Sequence, residues 1–265
     1  MTLSYAVNCS LLFTEVPLLE RPQAAADAGF SAVEFWWPWP DQPVPADRDV
    51  DAFVSAVQDA GVQLIGLNFW AADLTGPDCG VVSLPGREQD FRDNVDVVAA
   101  IGSRLDVPAF NALYGNSLEG LDAAEQDAVA TDNLRYAAKT VGADRTVLVE
   151  MVSGPKPYPL RTAADVAGVL DRVGEPNVRM LFDVFHLANN GDDVSAAIDA
   201  YADRIAHVQV ADLPGRHEPG SGELPIAEHL AHLQRAGYDG RVALEYIPAT
   251  NTTDSLTWLP REQRS

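Results

Sequence analysis

The sequence predicts an α/β chain closed as a single (β/α)8 barrel, and three observations predict it. Short apolar runs alternate with helix-period segments from one end to the other. Glycines recur just past the periodic segments, at Gly29, Gly61, Gly102, Gly142, Gly174 and Gly237, where a helix C-cap takes a left-handed residue. Gly29 to Gly61 and Gly142 to Gly174 are equally far apart, by about one strand plus one helix, and right-handed crossovers between such units make the sheet parallel. The 265 residues would suggest two domains at ~150 residues each. Eight βα units instead fill about 250 residues as one barrel.

Taken in order, the strands are expected at Ser4–Cys9, Ala32–Trp36, Gln63–Phe69, Val107–Ala112, Thr146–Glu150, Arg179–Asp183, Ala206–Val210 and Arg241–Tyr246. Between them lie apolar stripes at helical spacing: Phe53, Val57 and Ala60; Ala130, Leu134, Ala137 and Val141; Ile226, Leu230 and Leu233. Thr162 followed by Asp165 opens one helix as a capping-box variant, and Thr253–Leu259 reads as a last helix. The competing architecture, a doubly wound open sheet, lacks its Gly-rich dinucleotide turn; Gly220-Ser221-Gly222 follows a strand but is not that fingerprint. Without a low-complexity segment or a Gly/Ser linker, residues 1–265 read as one domain.

Composition bounds the partners. A hydrophobic fraction of 47% and a charged fraction of 22% belong to a soluble globular chain with a sizeable core. The 39 acidic and 18 basic side chains give a net charge of -21. This excess opposes nucleic acid and anionic membrane surfaces, which need Lys/Arg patches. Only Lys139 and Lys156 are lysines, and no basic cluster occurs. The expected partner is therefore a small molecule, with room left for a homo-oligomer. Cys9 and Cys79 cannot make a disulfide framework, no targeting segment is visible, and no apolar run approaches the ~20 residues of a membrane span. The expected compartment is the cytoplasm.

In the second half of the chain four successive strands end alike. Val147-Leu148-Val149 runs into Glu150, Met180-Leu181-Phe182 into Asp183, His207-Val208 into Gln209, and Val242-Ala243-Leu244 into Glu245. A barrel gathers the C-terminal ends of its strands on one rim, where its enzymes place their sites. One acidic residue at a strand end is more often a helix N-cap than a ligand. Four in consecutive units are not explained that way, and glutamine is a poor cap. Three carboxylates and an amide oxygen converging in a half-buried place repel one another unless a cation neutralises them. An all-oxygen set suits a hard divalent ion such as Mg²⁺ or Mn²⁺, whereas zinc more typically recruits His or Cys. Glu150 and Glu245 could then act as general base and general acid on opposite sides of a substrate, moving a proton between adjacent carbons.

The chain resembles the hydroxypyruvate isomerase family, among the xylose-isomerase-like TIM barrels. The resemblance rests on Asn8-Cys9-Ser10-Leu11-Leu12-Phe13-Thr14-Glu15-Val16-Pro17, on Ala28-Gly29-Phe30-Ser31-Ala32-Val33-Glu34-Phe35, and on Leu84-Pro85-Gly86-Arg87-Glu88. It is strongest in the stretch from His207 to Glu223, which runs HVQVADLPGRHEPGSGE, and it covers almost the whole chain. It implies a metal held by Glu150, Asp183, Gln209 and Glu245, with Glu150 and Glu245 as the acid–base pair. It also implies that His186 and Arg216 contact substrate oxygens. The implied reaction takes hydroxypyruvate to tartronate semialdehyde through an enediolate. The chain departs from the family after the strand-5 glutamate, where it has Met151-Val152-Ser153-Gly154-Pro155-Lys156-Pro157-Tyr158-Pro159, shorter and without the family's Asn. That loop bears on substrate identity. Lys156 could supply a carboxylate or phosphate contact there, as a point charge rather than a fork, or be a solvated loop lysine.

Trp36, Trp37, Trp39 and Trp70 fall just beyond strands 2 and 3, in a segment holding Pro38, Pro40, Pro43 and Pro45; packing is the favoured role, a wall for the pocket the other. His207, facing as Gln209 does, reads as a satisfied core histidine ahead of a partner to the site. His229 and His232 read as surface residues. The loop Arg216–Glu223 reads as a lid ahead of an ordinary connection. Cys9 has no histidine beside it in any motif and reads as non-nucleophilic. Alternatives to the hydroxypyruvate reading are an isomerase or 3-epimerase of a larger sugar or sugar acid, a zinc phosphodiesterase of the same superfamily, and a metal-dependent binding barrel without turnover. The zinc reading is opposed by the net charge of -21.

Overall fold

Eight parallel strands close on themselves in chain order in the computed structural model, which describes residues 3–264; Met1, Thr2 and Ser265 lie outside the described residues. The strands are β1 (Tyr5–Asn8), β2 (Ala32–Phe35), β3 (Gln63–Asn68), β4 (Ala109–Asn111), β5 (Thr146–Glu150), β6 (Val178–Asp183), β7 (Ile205–Val210) and β8 (Val242–Leu244). β8 pairs with β1 through Tyr5–Val242, Ala6–Ala243 and Val7–Leu244, which closes the barrel. Each strand feeds helical structure on the outside: α1 (Arg21–Asp27), α2 (Asp47–Ala60), α3 (Glu88–Leu105), α4 (Ala123–Val141), α5 (Ala163–Val173), α6 (Val184–Asn190), α7 (Val194–Tyr201), α8 (Ile226–Arg235) and α9 (Thr252–Ser255). The main apolar core lies between strands and helices and includes the predicted stripes of α2, α4 and α8, with Phe53, Val57, Leu134, Ala137, Leu230 and Leu233 all buried. Among the described residues no helix is long and apolar enough to cross a membrane.

Inside the barrel the side chains are apolar. Ala6, Ala32, Ile65 and Ala243 form one cluster, and Ala109, Leu148 and Leu181 another, both separate from the main core, four of these seven being alanine. These plug the N-terminal half of the lumen as layers from neighbouring strands. Two sheet irregularities adjust the inward facing: β3 has an extra residue, Ile65, opposite the Val33–Glu34 step of β2, and β7 has an extra residue, Ala206, opposite the Met180–Leu181 step of β6.

Most helix ends fall where the glycines place them. Gly61 and Gly174 are left-handed C-caps, at φ 67° and 70°, and Thr162 with Asp165 forms a complete capping box. Gly102 is a correction. It lies inside α3, whose C-cap is Asp106 at φ 52°. The side chain is missing at 102 for packing: a Cβ there would stand 2.4 Å from Cζ of Phe110. The last predicted helix also shortens, with α9 ending at Ser255. Its N-terminal residue Thr252 is held by Glu15, which accepts from its backbone N–H at 2.7 Å and its hydroxyl at 3.0 Å.

Candidate active site

Two residues further along each strand the lumen changes character. The inner positions step from Ala6 to Asn8, Ala32 to Glu34, Ala109 to Asn111, Leu148 to Glu150, Leu181 to Asp183 and Ala243 to Glu245, while His207 leads to Gln209. All of these polar residues are buried. Strand period two puts them in one polar layer beneath the C-terminal rim. The four residues expected from the strand ends thus share that layer, with Asp183 and Gln209 in direct register across β6 and β7. Glu245 sits one residue past the end of β8.

Each of the four has one end tied by a neighbour and one oxygen left over. Glu150 Oε2 accepts from Asn111 Nδ2 at 2.7 Å. Asp183 Oδ1 caps the short α6 by accepting from the backbone N–H of His186 at 3.0 Å, leaving Oδ2 unpartnered. Gln209 Nε2 donates to Glu34 Oε1 at 2.7 Å, leaving Oε1 unpartnered. Glu245 Oε1 accepts from the indole of Trp36 at 2.7 Å and lies 3.4 Å from Arg216 Nη2, leaving Oε2 unpartnered. The remaining oxygen of Glu150, Oε1, is 3.7 Å from His186 Nε2. Buried oxygens without donors are costly, and a set of them is the donor pattern a cation requires. Ligand atoms of Glu150, Asp183 and His186 lie within 4.8 Å of one another, a group that does not include Glu245 and in which His186 would ligate only with Nε2 free of its proton.

The electrostatics agree. Burial, followed by the charges of Glu245 and Asp183, drives Glu150 well above the ordinary carboxylate range. Burial pushes Glu245 up to about 8; Arg216 pulls against that shift, while Asp183 and Glu34 add to it. Glu34 is different. Burial disfavours its anion, but His207 and hydrogen bonds from His207, Gln209 and Asn8 outweigh that and hold it below the ordinary range.

His186 faces the same carboxylates, with Nε2 3.8 Å from Asp183 Oδ2. Its other nitrogen, Nδ1, accepts the backbone N–H of Ser153 at 3.0 Å. The neutral ring therefore carries its proton on Nε2, which makes that atom a donor. Burial brings its pKa down to about 4, so the neutral form prevails. Arg216 has a left-handed backbone, φ 59°, which places its guanidinium over the Phe185 ring and beside Glu245. Its Nε is buried without a partner. Lys156 is neither a solvated lysine nor a free charge: Nζ donates to the carbonyls of Leu74 at 2.9 Å and Asp78. All three cationic or donor groups line one cavity of about 220 Å³ together with Glu150, Glu245, Trp36 and Asn68.

Several residues of the site were not singled out from sequence. Asn8, Asn68 and Asn111 end β1, β3 and β4, Glu34 lies one residue before the end of β2, and all four are buried, but asparagine at a strand end reads as a turn or cap. The signal that could have found them is the shared position, two residues past a buried small residue. Trp36 is a further correction: it bonds Glu245 and lines the cavity rather than only packing its loop. Trp37 and Trp39 do pack, edge to face on each other, and Trp39 likewise packs on Phe53. Trp70 donates to the carbonyl of Pro40 at 2.6 Å. The segment after β7 is pinned rather than loose. The carboxylate of Asp212 accepts the backbone N–H groups of Leu213, Gly220 and Leu224 at 2.8–3.0 Å, and Glu223 N–H bonds Leu213 O.

Comparison with known proteins places this geometry. The profile of the xylose isomerase-like TIM barrel family matches residues 22–262. A Streptomyces coelicolor protein provisionally named hydroxypyruvate isomerase is 51% identical, covering 98% of this chain and 97% of that protein. The 2-oxo-tetronate isomerase of Pectobacterium atrosepticum is 32% identical over 96% of this chain and 95% of its own length. Hydroxypyruvate isomerase of Escherichia coli K12 is 29% identical, with coverages of 97% and 98%. Among solved structures, a Brucella melitensis protein described as an AP endonuclease of family 2 superposes with a TM-score of 0.87 at 34% identity, covering 97% of each chain. The chain belongs to the hydroxypyruvate isomerase family of xylose isomerase-like TIM barrels, and it is an isomerase.

Proposed function

We propose that the chain interconverts hydroxypyruvate and tartronate semialdehyde by moving one proton between adjacent carbons, with Glu150 and Glu245 as the acid–base pair. The observation that carries this reading is the ring of Glu150, Asp183, Gln209 and Glu245, each with one end tied down and one oxygen left over, of which Glu150 and Glu245 line a cavity that also presents Arg216, His186 and Lys156. A cavity of about 220 Å³ has room for a small hydroxy acid.

Glu150, Asp183, Gln209 and Glu245 would hold a divalent ion, Mg²⁺ or Mn²⁺ from the oxygen donors. The chemistry such an ion supplies when bound is polarisation of a carbonyl oxygen. The chain's own groups do the rest. Arg216, with a free buried N–H and a fork geometry, and Lys156, with one of its three N–H groups still uncommitted, take the substrate carboxylate. His186 donates from Nε2 to a substrate oxygen. Glu245 removes the proton from the hydroxymethyl carbon. The resulting enediolate accepts a proton at the neighbouring carbon from Glu150, while the hydroxyl proton of the first carbon passes to the oxygen of the second, so that the hydroxymethyl group becomes the aldehyde and the ketone becomes the hydroxyl. Trp36 closes the cavity on the Glu245 side and keeps water from the enediolate.

The four-carbon 2-oxo-tetronate isomerase relative motivates a second reading, in which the same groups act on a longer sugar acid. The net charge of -21 opposes a polyanionic nucleic acid substrate. Cys9 and Cys79, both free and buried, fit a cytoplasmic enzyme. A substrate panel tests the reading. Turnover of hydroxypyruvate in excess of 2-oxo-tetronates and ketoses supports it, and turnover confined to a ketose or a tetronate would sink it.

A further inference from the structure

Gln209 is the one neutral member of the ring, and its amide has two chemically opposite ends. Next to Glu150, Asp183 and Glu245 an amide free to choose would offer its NH2 group to a carboxylate. Here that group is already committed. Nε2 donates to Glu34 Oε1 at 2.7 Å, which leaves Oε1 as the free end.

Glu34 is built to make that choice. It enters the lumen from β2 at the register shift between Val33 and Glu34, and β3 opposite it has Gly66, where a Cβ would stand 3.2 Å from Glu34 Cβ and 3.3 Å from its Oε2. The carboxylate is buried and surrounded by donors from β1 and β7. Asn8 Nδ2 reaches Oε1 at 2.8 Å and His207 Nε2 lies 2.7 Å from Oε2. An ionised carboxylate only accepts, so Gln209 can meet it only with Nε2. His207 is thereby a satisfied interior histidine, and its partner is the residue that also grips Gln209.

We infer that Glu34 is a positioning residue that fixes the polarity of the Gln209 amide, so that an oxygen and not an NH2 group is offered to the divalent cation of the ring. This rests on the metal reading above. It extends that reading to a residue that would touch neither cation nor substrate.

The test is a Mn²⁺ titration followed by electron paramagnetic resonance, with melting in chelator as the check on folding. Glu34→Gln lets the amide at 209 turn, and Mn²⁺ affinity should fall by about 10- to 100-fold, the range for a lost outer partner of a metal ligand. In a Gln209→Leu background the same change should add less than about 2-fold, because residues acting through one contact are not additive. The exchange Glu34→Gln with Gln209→Glu should bind Mn²⁺ within about 3-fold of the unaltered protein, since a carboxylate offers oxygen whichever way it turns. That exchange conserves charge and volume, so it decides the matter where Glu34→Gln alone melts early. Loss of Mn²⁺ binding by the folded exchange variant overturns the inference. So does a Glu34→Gln affinity within about 3-fold of the unaltered protein, or an undiminished effect of Glu34→Gln on the Gln209→Leu background. No Mn²⁺ binding by the unaltered protein overturns the metal reading itself.

Discussion

The two halves of the barrel contribute different chemistry to one layer. β5 to β8 carry Glu150, Asp183, Gln209 and Glu245 at or beside their C-terminal ends, whereas β1 to β4 end in or contain Asn8, Glu34, Asn68 and Asn111. In this first half, Asn111 holds Glu150, Glu34 holds Gln209, Asn8 holds Glu34, and Trp36 just past β2 holds Glu245. The second half supplies buried oxygens, and the first half ties three of the four residues in place. The difference teaches that a carboxylate can be selected for its chemistry only if something else uses up its second oxygen. A ring of acids with both oxygens loose would adopt several arrangements, of which few suit a reaction.

The largest effects should come from the second half. Glu150→Gln and Glu245→Gln should each lower kcat by at least about 100-fold, the lower range for a lost general acid or base. Circular dichroism melts should show both variants folded, because glutamine keeps the volume and accepts the Asn111 and Trp36 hydrogen bonds through its oxygen. Unchanged turnover in either variant removes that residue from the acid–base pair.

Chelation comes next. A cation at 100 times its dissociation constant stabilises by about 2.7 kcal/mol, which in a chain of this size corresponds to roughly 5–10 °C in Tm. Saturating Mg²⁺ or Mn²⁺ should therefore raise Tm by that amount over chelated protein and restore lost turnover. Asp183→Asn should blunt the rise. A Tm indifferent to both ions would contradict the oxygen centre.

Smaller effects separate substrate contacts from orienting contacts. Arg216→Met removes a charged donor facing the cavity and should raise KM for a carboxylate substrate by about 10- to 100-fold, the equivalent of a hydrogen bond to a charged group. Trp36→Phe removes only the indole N–H from Glu245 and should lower kcat by about 10-fold with little change in KM. Trp70→Phe, also an indole donor but to the carbonyl of Pro40, should cost about 1 kcal/mol of stability and leave kcat alone. Equal kinetic effects from the two tryptophans would erase the distinction between the site and its loop packing.

The strand-end ring of the second half stands out in the sequence and the residues that tie it do not, for a physical reason. Glu150, Asp183, Gln209 and Glu245 each interrupt a hydrophobic run, and a charge at the end of a buried strand needs explaining. Asn8 and Asn111 sit in equally regular positions, yet asparagine is so common at strand ends and turns that its presence there carries little information. Glu34 was quoted only as part of a family-like stretch. Its burial and its pairing with His207 across the lumen depend on the closing of the barrel, which brings residues 173 apart in sequence to 2.7 Å. Gly102 shows the converse failure: a glycine read as a cap is empty for the sake of Phe110. The eight-strand order, by contrast, followed from spacing alone, since each βα unit repeats the same strand, helix and turn grammar.

The most direct measurement is turnover of hydroxypyruvate in D2O with saturating Mg²⁺, followed by proton and deuterium NMR. The proposed chemistry predicts tartronate semialdehyde carrying deuterium at the hydroxyl-bearing carbon, with the exchange abolished in Glu150→Gln and Glu245→Gln. Hydroxypyruvate left unconverted and unexchanged, while a 2-oxo-tetronate or a ketose turns over under the same conditions, would contradict it.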